Sequence, residues 1–114
     1  MRSLVVQLTT NDPEKVAAAL TVAMTAAASG AGVQLWLSGP ATWFAVPGRE
    51  PEYDLPHAPD LEEALAGIDA VRVCSQCAAR RDLREADLRP GARIAGATTL
   101  VEALLADGAQ AVTY

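Results

Sequence analysis

The chain has 114 residues, 51% hydrophobic and 20% charged, which predicts one domain over residues 1–114 with enough apolar material for a core. Its formal net charge of -5 argues against direct binding of nucleic acid, because such proteins usually carry a basic face. Two cysteines are too few for a disulfide framework and favour a reducing, cytoplasmic setting.

A long uncharged span raises the question of a membrane segment. No charged residue lies between Lys15 and Arg49, but glycine and Pro40 interrupt this span. Its longest uninterrupted piece, residues 16–28, is shorter than the roughly 20 residues that a membrane helix needs. We therefore predict no membrane association. A helix this apolar should be covered on more than one side, and a neighbouring subunit could supply part of that cover.

The first predicted elements are a strand and a helix. Residues 3–8 form a short apolar run rich in β-branched side chains, which is typical of a buried strand. Asp12 can cap a helix, and Pro13 suits its first position. The helix is predicted to run to about Ser29 and to stop at Gly30.

The middle of the chain predicts a second strand and a short helix. Residues 33–37 are the strand. Residues 41–46 are either one short helical turn or an apolar loop. Residues 47–59 contain four prolines and predict a loop. A capping box at residues 60–63 begins a short helix that ends near Gly67.

The last third predicts three further strands. Residues 70–74 are the third strand, and a helix begins just after it. Residues 92–95 are the fourth strand. A second capping box, at residues 99–102, predicts a helix that ends at Gly108, and residues 110–114 close the chain as a fifth strand. The alternation of strands and helices predicts an α/β fold with a mostly parallel sheet and right-handed crossovers.

This topology predicts where a site should lie. Ligands of open α/β sheets bind outside the carboxyl ends of the strands. The residues that leave those ends should therefore gather at one edge of the sheet. They are Thr9, Thr10 and Asn11 after the first strand, Ser38 and Gly39 after the second, Cys74 and Ser75 at the third, and Gly96 after the fourth.

Both cysteines belong to one C-x-x-C spacing. Cys74 lies just before a helix N-terminus, where backbone N–H groups favour a thiolate, and Arg80 and Arg81 add positive potential. The alternative is that Cys74 is a small buried strand residue. One interpretation of Cys77 is a resolving thiol or a second persulfide carrier. The other, which we prefer, is a helix residue packed on the sheet. The arginines either bind an anionic partner or form a solvated helix face.

Other chemistries fit less well. A structural zinc site needs four ligands, and the chain offers two cysteines and His57, so we predict no metal site and no serine or cysteine triad. Trp36 is predicted to be a core residue. Trp43 and Phe44 either line a pocket or subunit contact or fold back onto the core. We prefer the pocket or subunit contact.

Four segments together carry a family resemblance. They are SLVVQLTTNDPEKVAAAL, LWLSGPATWF, VRVCSQCAARRDL and LRPGARIAGATTLVEALL…QAVTY. In this order they resemble the DsrE/DsrF-like proteins, a family that includes subunits of sulfur-relay complexes in tRNA thiolation and dissimilatory sulfur oxidation. The resemblance implies a flavodoxin-like three-layer α/β sandwich around a five-stranded parallel sheet, and assembly into homotrimers or homohexamers.

The resemblance also implies roles for single residues. Cys74 matches the persulfide-carrying cysteine, and Cys77 matches a second cysteine that some members have. Asp82 departs from the pattern, because a glycine often follows the two arginines, and this change can alter the turn after the helix.

Three functions are consistent with these features. The first is a sulfur carrier, a sulfurtransferase-like role in which Cys74 exchanges a persulfide with sulfur-donor and sulfur-acceptor proteins and needs no cofactor. The second is a non-catalytic oligomeric module that binds a small ligand or assembles a complex. The third is a thiol–disulfide pair of Cys74 and Cys77. Whether the protein is an enzyme stays open. The other candidate pocket residues are Thr10, Asn11, Ser38, Gly39, Trp43, Ser75, Arg80, Arg81 and Gly96.

Overall fold

A computed structural model describes residues 2–51 and 54–114. The strands are β1 (Ser3–Leu8), β2 (Gly32–Leu37), β3 (Ala70–Cys74), β4 (Ala92–Ala95) and β5 (Ala109–Thr113). The α-helices are α1 (Pro13–Ala28), α2 (Leu61–Ala66), α3 (Ser75–Arg80) and α4 (Ala97–Leu105). Two 3-10 segments, Gly39–Ala45 and Glu85–Asp87, lie in the connections.

The strands form one parallel sheet in the order β4-β3-β2-β1-β5. The predicted α/β fold is confirmed, and the sheet is parallel throughout where we predicted mostly parallel. The chain steps from β1 to β4 in one direction and then returns to the opposite edge for β5. Since crossovers of parallel strands are right-handed, the return helix α4 covers the other face from α1 and α2.

The main core lies on the face that α1 and α2 cover. Val6, Leu35 and Val73 are fully buried there, against Val16 and Leu20 of α1. The described residues of this chain do not supply the cover on several sides that we expected for α1. The outer side of α1 is exposed, and there the hydroxyls of its threonines donate to carbonyls one turn back.

The second face of the sheet is thinly covered. The structure describes all nine residues of α4, and none of these nine side chains is buried. Val101 and Leu105 are 48% and 79% exposed. Side chains alternate along a strand, so Trp36, Arg72 and Cys74 share this second face, with Trp36 paired to Arg72 in the register. The three-layer sandwich is therefore asymmetric.

Most predicted element boundaries are confirmed, and one helix start is wrong. Asp60 caps α2 through a hydrogen bond that its Oδ2 accepts from the Glu63 N–H at 3.1 Å. The second capping box does not form. The helix begins at Ala97, directly after Gly96, so Thr99 already lies inside its first turn. The pairing of Cys74 with Ala95 fixes where β4 ends, and the helix starts from that point.

Three smaller differences concern lengths. The ambiguous segment at residues 41–46 belongs to a 3-10 helix that begins earlier, at Gly39. Helix α4 ends at Leu105, before the predicted stop at Gly108, and β5 begins at Ala109.

Within the part of the chain that the structure describes, no helix is long and apolar enough to span a membrane.

The turn after α3 keeps a glycine-like backbone at Asp82. This residue has φ of +54°, in the left-handed region that glycine adopts most easily. The Leu83 N–H donates to the Ala78 carbonyl at 3.0 Å and closes the helix end. Asp82 therefore adopts the backbone conformation that a glycine at this position would favour.

Candidate functional site

Cys74 lines a cavity at the carboxyl edge of the sheet. The cavity has a volume of about 240 Å³, and Cys74 is partly exposed in it as the last residue of β3. Three other predicted residues, Ser38, Ser75 and Gly96, lie in the same wall. The remaining wall residues, which the sequence did not single out, are Gln7, Trp36, Leu37, Gln76, Ala95, Ala97 and Leu100.

Trp36 is buried as predicted, but its place is different from the one we expected. It is 4% exposed and lies beside the Cys74 cavity, outside the main core cluster. Its Nε1 donates to the Oε1 of Gln34 at 3.0 Å. The alternation of Trp36 with apolar neighbours could not show this, because only the strand register reveals that Trp36 shares a face with Cys74.

Cys77 is buried, as the preferred interpretation required, yet its sulfur has polar surroundings. The side chain is 6% exposed. The backbone N–H of Gly39 donates to its Sγ at 3.2 Å, which is short for a hydrogen bond to sulfur. The Nη1 of Arg80 lies 3.9 Å from the same sulfur. The hydrogen-bond donors that we expected around Cys74 therefore converge on Cys77.

These surroundings change the acidity of Cys77. Burial by itself raises the pKa of this thiol. The hydrogen bond from the Gly39 N–H, the nearby Cys74 thiol and Thr42 hydroxyl, and the charge of Arg80 together lower it by more. The net result is a pKa below the ordinary thiol value of 9.0. A thiolate at Cys77 is therefore stabilised by its neighbours.

Thr42 contributes a buried hydroxyl to this group. It lies in the 3-10 segment after β2 and is 0% exposed. Among the described residues, its Oγ1 has no hydrogen-bond partner of regular geometry, although it is close enough to Cys77 to lower the pKa of that thiol. A buried hydroxyl without a regular partner costs about 1–3 kcal/mol, so its interaction with the sulfur offsets that cost only when the sulfur is a strong acceptor.

The two arginines after the cysteines differ in their contacts. Arg80 is exposed, apart from its approach to Cys77. Arg81 donates from Nη1 to the Cys77 carbonyl at 3.0 Å, and its Cζ lies 6.0 Å from the ring centroid of Trp43. Arg81 thus ties α3 to the 3-10 segment, while Arg80 presents its charge to solvent.

A second cavity holds some of the other predicted pocket residues. Asn11, Trp43 and Phe44 are among the residues that line a cleft of about 370 Å³. The Cζ of Arg49 lies 4.3 Å from the Trp43 ring centroid, a close cation–π contact. Phe44 is 6% exposed and also packs in the core. Thr10 instead supports the start of α1, since its Oγ1 accepts from the Asp12 N–H at 3.1 Å. Some candidates therefore line one of the two cavities, and the others line neither of them: Thr10, Gly39, Arg80 and Arg81.

The described residues do not bring metal ligands together. Within residues 2–51 and 54–114, no group of three His, Cys, Asp or Glu side chains could hold a metal ion. His57 is exposed in the proline-rich loop, and both cysteines are free thiols.

Comparisons with known proteins agree with this architecture. The model of the DsrE/DsrF-like family matches residues 1–114. The crystal structure of the ychN protein from E. coli is similar to the chain with a TM-score of 0.77, at 19% sequence identity and over 100% of both chains. At this identity the likeness shows the fold alone. A search of the curated proteins found no match.

Proposed function

This chain belongs to the DsrE/DsrF-like family, and on that premise we propose that it is a sulfur carrier whose Cys74 accepts a sulfane sulfur as a persulfide and passes it on. Family membership supports a small protein related to sulfur relay. The carrier role of Cys74 goes further and depends on the geometry of the site.

The observation that carries the proposal is the exposure of the Cys74 thiol in its cavity. Cys74 is the partly exposed cysteine, and Cys77 behind it is buried. Three small residues, Ser38, Ser75 and Gly96, line this cavity together with Cys74. A cavity of about 240 Å³ accommodates a persulfide sulfur and the end of an incoming side chain.

The transfer needs only thiol chemistry. A Cys74 thiolate attacks the outer sulfur of a donor persulfide, R–S–SH. The new bond joins Cys74 Sγ to that sulfur, the R–S bond breaks, and R–S⁻ leaves with the electron pair. The reverse geometry delivers the sulfur to an acceptor thiolate. No metal or organic cofactor is required, and the exposed Arg80 offers positive charge to an acidic donor or acceptor protein.

The experiment is uptake of sulfur from a persulfide donor, followed by mass spectrometry of the peptide that holds both cysteines. We expect a gain of one sulfur atom on Cys74. Cys74→Ser should lose this gain. Cys77→Ser is the matched control, and it should still reach the gain of one sulfur at the end of a long incubation, whatever its rate of uptake. The proposal is wrong if Cys74→Ser takes up the same sulfur or if the wild-type protein takes up none.

The second cavity favours an alternative, a non-catalytic ligand-binding or assembly module. The Trp43 ring and the nearby Arg49 side chain, which both line this cavity, could hold a small anionic or aromatic ligand. This function expects Cys74 to resist alkylation in the folded protein. Rapid alkylation of Cys74 near neutral pH would count against it, and so would unchanged Trp43 fluorescence across a panel of small aromatic carboxylates.

The contact between the two thiols favours a third function, a thiol–disulfide pair. Cys74 is the residue directly before α3 and Cys77 lies three residues on in its first turn, so the two thiols are neighbours. Gentle oxidation of such a pair should remove both thiols without forming a covalent dimer. Retention of two free thiols after treatment with a mild oxidant such as oxidised glutathione would exclude this function.

We further propose that the protein acts as a cytoplasmic homotrimer or homohexamer. The thin cover on the second face of the sheet supports association, because contiguous exposed apolar patches usually mark an interface and Val101 and Leu105 are both exposed one turn apart on α4. Direct contact with nucleic acid is not part of the proposal.

A further inference from the structure

We propose that Cys77 is the proton acceptor for Cys74, taking the proton from the Cys74 thiol when Cys74 attacks a sulfane sulfur. This inference rests on the proposed sulfur-carrier function and assigns the second cysteine a chemical role in it. The role differs from a second carrier and from a resolving thiol, because no sulfur is bonded to Cys77 at any step.

The first argument is the arrangement of donors around the Cys77 sulfur. The Gly39 N–H donates to it at 3.2 Å, and the Nη1 of Arg80 lies 3.9 Å away. The Thr42 hydroxyl, 0% exposed and without a hydrogen-bond partner among the described residues, is close enough to lower the pKa of this thiol. Sulfur as a thiolate accepts several hydrogen bonds, whereas a neutral thiol is a weak acceptor. These three groups are arranged for a thiolate.

The second argument is the difference in access between the two cysteines. Cys77 is 6% exposed, so a protein or a bulky donor cannot reach its sulfur, while Cys74 lines the open cavity. Cys74 is the residue directly before α3, and Cys77 lies three residues on in its first turn, so the two thiols are neighbours. The reactive thiol therefore lies beside its base, as general base catalysis requires.

The step balances without any further reactant. Cys74–SH, Cys77–S⁻ and R–S–SH give Cys74–S–SH, Cys77–SH and R–S⁻. One sulfur–sulfur bond forms as another breaks, the proton moves from Cys74 to Cys77, and the negative charge leaves on the donor. When the persulfide passes to an acceptor thiolate, Cys77 returns the proton and the pair is restored.

The charged environment of the pair is simple. From α3, the Arg80 guanidinium faces the sulfur, and Arg81 bonds to the Cys77 carbonyl. From β3 come Cys74 and, two residues earlier on the same face of the sheet, Arg72, while the 3-10 segment contributes the uncharged Gly39 N–H and Thr42 hydroxyl. Among these charged groups, Arg80 is the one whose charge lowers the pKa of Cys77.

The test is the rate of Cys74 alkylation by iodoacetamide as a function of pH, with the site identified by mass spectrometry. In the wild type we expect the rate to rise well below about pH 8.5, where an ordinary thiol ionises. Cys77→Ala should remove this early rise and slow alkylation at pH 7 about tenfold, because an ordinary thiol is only a few per cent ionised there. Thr42→Val should shift the rise to higher pH by a smaller amount.

The control is Ala79→Ser, an exposed substitution on the same helix. It should leave the whole profile unchanged. If Cys77→Ala and Thr42→Val both keep the wild-type profile, or if Ala79→Ser moves it equally, the proposal is overturned. If Cys77→Ala does not fold, Thr42→Val and Cys77→Ser decide, since Ser leaves a hydroxyl that cannot serve as this base.

Sulfur uptake on the same samples separates the two proposals. If Cys74 takes up sulfur while its alkylation profile is insensitive to Cys77, the carrier function stands and the proton-acceptor role fails. If the profile depends on Cys77 while no sulfur is taken up, the thiol pair acts as inferred and the carrier function fails.

Discussion

The backbone N–H of Gly39 and the Sγ of Cys77 are joined by a 3.2 Å hydrogen bond across 38 positions of the sequence. This bond ties the turn after β2 to the helix after β3, directly behind Cys74. Gly39 has φ of +54°, and a Cβ atom there would lie 2.9 Å from the Thr9 carbonyl oxygen. The close approach of the β1 and β2 turns thus depends on glycine, and so does the donor to Cys77.

Gly39→Ala should therefore destabilise the fold. The left-handed backbone costs an alanine about 1–2 kcal/mol, and the clash with a backbone oxygen adds about 1–3 kcal/mol of overpacking. Gly48→Ala is the matched control, since Gly48 also has positive φ but a Cβ atom there would meet nothing within 4 Å. Urea unfolding should show the larger loss for Gly39→Ala, and equal losses would contradict this packing.

The acidity of Cys77 predicts how stability changes with pH. In the folded protein, burial raises the pKa of this thiol, but the donors and the charge around it lower the pKa by more. The unfolded thiol titrates near 9.0. The unfolded state thus binds more protons in the window just below 9.0, and the free energy of unfolding rises with pH there. This contribution is complete above the unfolded pKa and is lost as pH falls through the folded pKa.

Cys77→Ser measures this contribution, because serine does not titrate in that range. The difference in unfolding free energy between the wild type and Cys77→Ser should increase with pH up to about 9. Cys74→Ser is the control, since the Gly39 N–H and Arg80 remain beside the Cys77 sulfur and the pH dependence should persist. A difference between wild type and Cys77→Ser that is constant with pH would show that Cys77 is not held as a thiolate.

The sequence predicted the fold more fully than the site. Strands at residues 3–8 and 70–74 were predicted to the residue, because turn residues bound each apolar run. Since the carboxyl ends of parallel strands share an edge, Ser38, Cys74 and Gly96 were also expected together, and they line one cavity. Their chemical roles are still predictions.

The features of the site that the sequence did not predict depend on contacts between distant parts of the chain. Trp36 lies beside Cys74 because β2 and β3 pair in one register, and a shift of one residue would place it in the main core. Thr42 lies in a segment that sequence patterns left ambiguous, so nothing in its neighbours marks it as a partner of Cys77. The sequence therefore drew attention to Cys74 and to the spacing, and not to the donors that surround the second sulfur.

Arg89 predicts a further stability effect away from the cysteines. It is 9% exposed, its Nε donates to the Phe44 carbonyl at 2.8 Å, and its two Nη atoms bond to Glu50 and Glu62. Arg89→Met should lower the unfolding free energy by about 2–4 kcal/mol, because the buried carbonyl loses its donor and both carboxylates lose theirs. Glu62→Gln should cost below about 1 kcal/mol, since Glu62 is 66% exposed. If Arg89→Met and Glu62→Gln lost the same unfolding free energy in urea, the exposed Arg89–Glu62 ion pair would dominate the contribution of Arg89.

Helix α4 predicts the surface through which subunits associate. Leu105 is 79% exposed, so replacing it costs the monomer little. Leu105→Glu should lower the native mass measured by light scattering, because a charge at an apolar contact is not compensated. Ala18→Glu, on the exposed side of α1 across the sheet, should leave the mass unchanged. A wild-type protein that is already monomeric, or an equal loss in both variants, would rule out association through α4.

The left-handed backbone at Asp82 predicts opposite effects for two small substitutions. At φ of +54° an alanine is strained and a glycine is not, so Asp82→Gly should be more stable than Asp82→Ala by about 1–2 kcal/mol. Glu102, exposed within α4, is the contrasting position, where alanine should be more stable than glycine by about 1 kcal/mol. Urea unfolding of the four variants decides, and the same order at both positions would contradict the turn. Because glycine keeps this turn, Asp82→Gly should also leave the alkylation rate of Cys74 unchanged, which separates a change in stability from a change at the thiol pair.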